Sequence, residues 1–201
     1  MIRPHLTSSF SRCLTLAVLA ASPYLSPATA MSAPSAQGSP PGVLFCVADG
    51  TDPAIISACP CGNTGAAGRG CQNSQATGGG LLNSAGTTSP DTVVLTATGM
   101  VPSSMCIFLG GDALFGGGDP FADGIKCVAG HQIRIGTKSA PSGSASYPQV
   151  GDVSISQKSA QLGWPISNGA TRWYQVYYRV PVSTFCPWNN FNFTSGQRIT
   201  W

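Results

Sequence analysis

The chain has 201 residues, of which only 8 % are charged: ten Lys or Arg, seven Asp and no Glu. So sparse and nearly balanced a charge set argues against a nucleic-acid partner, which would need clustered Lys and Arg to displace counterions from phosphates. Gly, Ser, Thr, Asn and Ala fill the remaining polar surface, a composition poor in helix formers and suited to an exported β-rich protein.

The N-terminus reads as an export signal. Arg3 and Arg12 form a positive region, "CLTLAVLAASPYL" is apolar but too short to span a bilayer, and Ala28 and Ala30 place small residues at a cleavage site. Cleavage after Ala30 would remove residues 1–30 and leave eight Lys or Arg against seven Asp, a net charge of about +1. No later stretch carries the roughly 20 apolar residues a membrane helix needs. Residues 31–42, "MSAPSAQGSPPG", have a linker composition. Residues 43–201 then form one domain, long enough to bury a core.

From Val43 the pattern is short β-like runs between turn residues. The predicted strands are Val43–Val47, Thr92–Thr98, Met105–Leu109, Ile125–Val128, Gln132–Gly136, Val153–Gln157, Trp173–Val180, Phe191–Thr194 and Gln197–Trp201. "ADG" (122–124), "SNG" (167–169) and "TSG" (194–196) are predicted turns. No twelve-residue window shows helical periodicity. The expected fold is a single all-β domain, an antiparallel sandwich or jelly roll. In the strongest strand, Tyr174, Val176, Tyr178 and Val180 form the predicted core face. Trp173, Gln175, Tyr177 and Arg179 would then point outward, offering aromatic rings and a guanidinium. A terminal Trp201 is costly to leave in water, so the last strand should belong to the sheet.

Without the leader, seven cysteines remain, and in an exported protein they are expected in disulfides. Cys59 and Cys61 cannot pair with each other without strain. Pairing with sequence neighbours gives Cys46–Cys59 and Cys61–Cys71, each closing about a dozen residues. Cys127–Cys186 is the third expected bridge, and Cys106, inside "MCIFL", is left as a buried free thiol. A zinc site is disfavoured, because the Cys59–Cys61 gap is one residue and His131 is distant in sequence.

The blocks "CPCGN", "GCQNS", "YQVYYR" and "FNFTSG" together resemble a module of exported proteins of environmental bacteria, over about Val43 to Trp201. The resemblance implies an extracellular, β-rich, disulfide-containing domain and carries no activity or binding residue with it. The chain departs from that pattern at Val180, where the module usually has Asp, and at Cys106, where it usually has no cysteine.

Catalytic signals are thin. His131 is the sole histidine after the leader and would have to serve any Ser-His-Asp arrangement, and no G-x-S-x-G elbow is present. Asp49, Asp52, Asp91, Asp112, Asp119, Asp123 and Asp152 could supply a carboxylate pair, but most adjoin Gly, Pro or Thr, which is turn and cap chemistry. Asp112, Asp119 and Asp123 in "GGDALFGGGDPFADG" make a weak Ca²⁺ candidate, without EF-hand spacing. The glycine run is not a phosphate loop, and no cofactor is expected. Trp164, Trp173, Tyr177, Arg179 and Trp188 are the candidate binding residues, since aromatic faces on a rigid β scaffold can stack on sugars. The expected function is a non-catalytic surface or binding module for a glycan or cell-envelope polymer. The alternatives are a small hydrolase using His131 or an Asp pair, and a self-associating matrix module linked through Cys106.

Overall fold

The computed structural model describes residues 39–182, 184–186 and 190–201. The expected signal peptide, most of the expected linker and Trp188 lie outside the described residues. The described chain is an all-β sandwich. One antiparallel sheet holds five strands in the order β1 (Gly42–Phe45), β8 (Phe191–Thr200), β7 (Thr171–Arg179), β4 (Ser104–Phe121), β5 (Gly124–Ala140). The other holds β2 (Leu81–Ala85), β3 (Val94–Thr98) and β6 (Ala145–Tyr147). No helix among the described residues is long and apolar enough to cross a membrane.

The main core lies between the sheets. Leu82, Leu95 and Ala97 of the small sheet, with Val93 just before β3, meet Phe108, Ile135, Tyr174, Val176, Tyr178 and Ile199 of the large one, all buried. The predicted core face of β7 is therefore correct in all four positions: Tyr174, Val176, Tyr178 and Val180 are all buried. Burial of each such side chain stabilises the fold by roughly 1.5–3 kcal/mol. Trp201 packs edge-on against Tyr174 with ring centroids 6.3 Å apart, tying the last strand to the core. Cys106 points into the same core, where burial pushes its thiol up to about 11.

The opposite face of the large sheet carries a third layer. The β4–β5 hairpin is 35 residues of near-continuous strand, and its distal half folds back over the sheet it grows from. The bend is written in glycine. At Gly111 a β-carbon would run into Val128 and the Ala129 carbonyl, and Gly130 sits at φ +69°, a conformation side chains resist. Register shifts between Gly111 and Ala113, and between Leu114 and Asp119, accompany the bend. Residues 46–72 lie beside the hairpin. Ile56 and Ser57 donate backbone N–H to the Gly117 carbonyl, both at 3.1 Å, and the Ser57 hydroxyl donates to Gly118 at 2.7 Å.

Three disulfides fix this layer, with pairings that correct the sequence expectation. Cys46 bonds Cys127, Cys59 bonds Cys71 and Cys61 bonds Cys186, not Cys46–Cys59, Cys61–Cys71 and Cys127–Cys186. Closeness in sequence is not closeness in space here. The end of β1 lies beside the folded-back hairpin, which brings Cys46 to Cys127 across 81 residues. Cys186, just before β8, reaches Cys61 across 125. Only Cys59–Cys71, at a separation of 12, is a local staple. Three disulfides indicate an oxidising environment.

Other corrections have local causes. Val153–Gln157 is not a strand: Ser154 caps a short helix, α1 (Ile155–Gln161), whose Ile155 and Ser159 share its buried face at i and i+4. "TSG" is no turn. It lies within β8, where Gly196 leaves room for the Phe45 ring, so the two predicted strands there form one. Ile125–Val128 and Gln132–Gly136 likewise merge into β5. "ADG" and "SNG" are turns, the first joining β4 to β5 with Ala122 at φ +58°. The strands β2 and β6 were not predicted.

Candidate binding groove

Outward-facing positions on β7 meet the third layer. Gln175, placed on the outer face by strand alternation, is fully buried beneath the hairpin. Its Oε1 accepts the Cys127 N–H at 3.0 Å, and its Nε2 donates to the Ile125 and Thr194 carbonyls, both at 2.9 Å. One amide thus satisfies hairpin and sheet together, which a solvent-facing residue would not need to do.

Beside Gln175 the hairpin does not lie flat. A groove of about 450 Å³ opens between its distal half and the sheet. Leu109 and Tyr177 contribute from the sheet, Phe121 and Lys126 from the hairpin, Gln132 and Arg134 from the proximal part of β5, and Phe191 from the start of β8. The aromatic rings support one another. Tyr177 lies 5.1 Å from Phe191 and 5.8 Å from Phe193, and Phe121 meets Phe193 edge-on at 6.0 Å. Phe121 remains half exposed. Two cations are positioned on rings: Arg179 lies 5.0 Å over Phe191, and Lys126 lies 5.4 Å over Phe115. Among the described residues no carboxylate lines the groove.

The predicted binding residues divide. Tyr177 lines the groove and Arg179 borders it through Phe191. Trp173 occupies the same face of β7 opposite Gly111 and Arg198, but does not line the groove, and its buried indole N–H has no partner among the described residues. Trp164 sits elsewhere. Its ring is engaged by the Arg172 guanidinium at 4.1 Å and by His131 at 4.9 Å, and it packs against the main core. Phe121, Lys126, Gln132, Arg134 and Phe191 escaped the sequence reading. Phe191 alone left a signal, the F-x-F alternation with Phe193 that a strand start would display. The others come together only through the hairpin's bend.

The acidic groups do structural work. Asp49 accepts from the Thr51 hydroxyl and backbone and from the Gly68 N–H, which holds its carboxyl below the usual range. Asp52 accepts from Val47 and Ala54, Asp91 from Val93 and Ser156, and Asp152 from Lys138 and Gln149. Asp112 accepts the backbone N–H of His131, not its ring, at 2.8 Å. The Ca²⁺ candidates Asp112, Asp119 and Asp123 are not a loop cluster. They are spread along β4 and its turn, and no group of three metal-ligating side chains forms among the described residues. Asp123 is instead wholly buried at the hairpin tip, with neither carboxylate oxygen partnered among the described residues, and burial pushes its carboxyl up to about 6.

No protein-family model, curated protein or solved structure matches the chain.

Proposed function

We propose that this chain is an exported, non-catalytic binding module that holds a sugar polymer in the groove between the folded-back hairpin and the large sheet. The observation that carries this reading is the groove itself. Rings of Tyr177, Phe191 and Phe121 lie beside Gln132, Lys126 and Arg134 in one concavity. Apolar sugar faces stack on such rings, while amide and guanidinium groups take the hydroxyls. The disulfide-built outer layer and the N-terminal leader pattern support an extracellular setting.

The test is a glycan array and cell-envelope polysaccharide pull-down with wild type and Tyr177→Ala. Wild type should retain at least one polysaccharide, and Tyr177→Ala should weaken it roughly tenfold, the equivalent of about 1.4 kcal/mol. Empty results from both assays with wild type, or unchanged retention by Tyr177→Ala, would overturn the reading.

A further inference from the structure

A second recess of about 450 Å³ lies along the open edge of β5. Its floor is the backbone from Ile135 to Lys138, and its far wall is the loop at Gly151–Val153 with Lys158 and Gln161 of α1. Among the described residues β5 pairs with β4 alone, and an edge strand of this kind has backbone donors and acceptors for a further partner. Arg134 belongs to both linings and joins the recess to the aromatic groove.

The charge along this path is one-sided. Lys126, Arg134, Lys138 and Lys158 are four of the eight Lys and Arg in residues 39–201. Asp152 is the one carboxylate in either lining, and it is held by Lys138 in a salt bridge. Asp119 faces Lys126 across the strands without lining the groove and without forming an ion pair. Lys126, Arg134 and Lys158 thus make no salt bridge among the described residues, although the Lys158 charge helps hold the Asp152 carboxyl below its usual range, and they lie along the joined linings with Gln132 and Gln161.

Resting on the sugar-binding reading above, we infer that the ligand is a linear acidic polysaccharide, running from the aromatic groove over Arg134 into the β5-edge recess. A polyuronate suits the track, because its carboxylates are spaced one per ring and its hydroxyls can meet the two glutamines and the strand edge. Nucleic acid carries denser charge than these few separated cations would neutralise.

Oligogalacturonates of about three and about eight residues, a neutral β-glucan octamer and single-stranded oligothymidylate, titrated calorimetrically, test this. The acidic octamer should bind about tenfold more tightly than the acidic trimer and than the neutral octamer, and should weaken as salt rises. Lys158→Gln should weaken the acidic octamer about threefold and leave the trimer unchanged, as loss of one partly exposed charge contact predicts. Arg134→Gln should weaken both. Unchanged thermal midpoints for both variants would tie these losses to binding. If neutral and acidic octamers bind equally, the acidic class is wrong while the groove reading stands. If Lys158→Gln leaves the octamer unaffected, the track ends in the groove. Tighter binding of oligothymidylate would replace the sugar with nucleic acid, and failure of every sugar would sink both readings together.

Discussion

The two faces of the five-stranded sheet are built by different physics. The inner face is closed by apolar side chains: Phe108, Ile135, Tyr174, Val176, Tyr178 and Ile199 pack on the small sheet, and the one free thiol among the described residues is simply another apolar group there. The outer face is closed by a layer of Gly, Ala, Asn and Thr that has little to bury. Its apolar contact is a small cluster of Ile125, Ala48 and disulfide sulfurs, with Phe45 and Ile55 against it, and the Phe121 ring set on Phe193. Covalent bridges and the Gln175 amide substitute for a core. An outer layer held at a few points, and not by continuous packing, can leave a groove beneath it. A dry, interdigitated interface could not.

The strongest way to separate the two faces is to cut the longest tie between hairpin and sheet. In the double variant Cys46→Ala/Cys127→Ala, an 81-residue closure is lost, a destabilisation of about 4.5 kcal/mol on the chain-entropy model. The hydrogen-exchange pattern should be the sharper result. Amides of Gly124–Ala129 should lose protection while those of β3 and of β7 at Tyr174–Tyr178 keep theirs, because the sandwich core does not rest on this bond. Simultaneous loss of protection in both regions would show the layers to be one cooperative unit.

Phe108→Ala attacks the other side. The residue is fully buried and packs near Tyr147, ring centroids 6.2 Å apart, so a loss of about 4 kcal/mol is expected from chemical denaturation. Here protection should fall in both sheets at once. If only the outer layer loosened, the division between the two faces would be wrong.

This difference also explains what was legible in the sequence. The inner face obeys strict alternation, and Tyr174, Val176, Tyr178 and Val180 were readable as core without any tertiary information. The outer layer has no such code. That Gln175 is buried, that Cys46 seeks Cys127, and that Lys126 and Arg134 share a groove with Tyr177 all follow from one bend at Gly111 and Gly130. The glycines were visible, but a glycine announces permission to bend and not the direction. Leu81–Ala85 was missed because "LLNSA" lacks β-branched residues, and its two buried positions, Leu82 and Ser84, are too few to define a period. Trp164 looked available because tryptophan near Pro and Gly suggests a loop. Its occupation by Arg172 and His131, which come from two different strands, could not be read from the chain.

The smallest expected effect reports on the hairpin tip, where the outer layer meets β8. Asp123 donates its backbone N–H to the Phe191 carbonyl at 2.8 Å, and its carbonyl accepts from Asn63 at 2.8 Å, yet its carboxylate has no partner among the described residues. Burial raises its folded-state pKa from 3.8 to about 6. Below the unfolded value the group is protonated in both states and costs nothing. As pH rises from about 4 to 6 the unfolded chain ionises first, so stability falls across that window and stays reduced above it. A rise of that size corresponds to a penalty of at most about 2–3 kcal/mol at neutral pH. Asp123→Asn keeps a residue suited to the turn while removing the charge. It should therefore stabilise the protein at pH 7 by up to that amount, and flatten this group's share of the decline between pH 4 and 6 in thermal or denaturant unfolding. A destabilised Asp123→Asn at pH 7 would mean that the carboxylate is held by a cation or a bound ligand at the tip. The outer layer would then owe part of its closure to charge, and the contrast with the apolar inner face would have to be redrawn there.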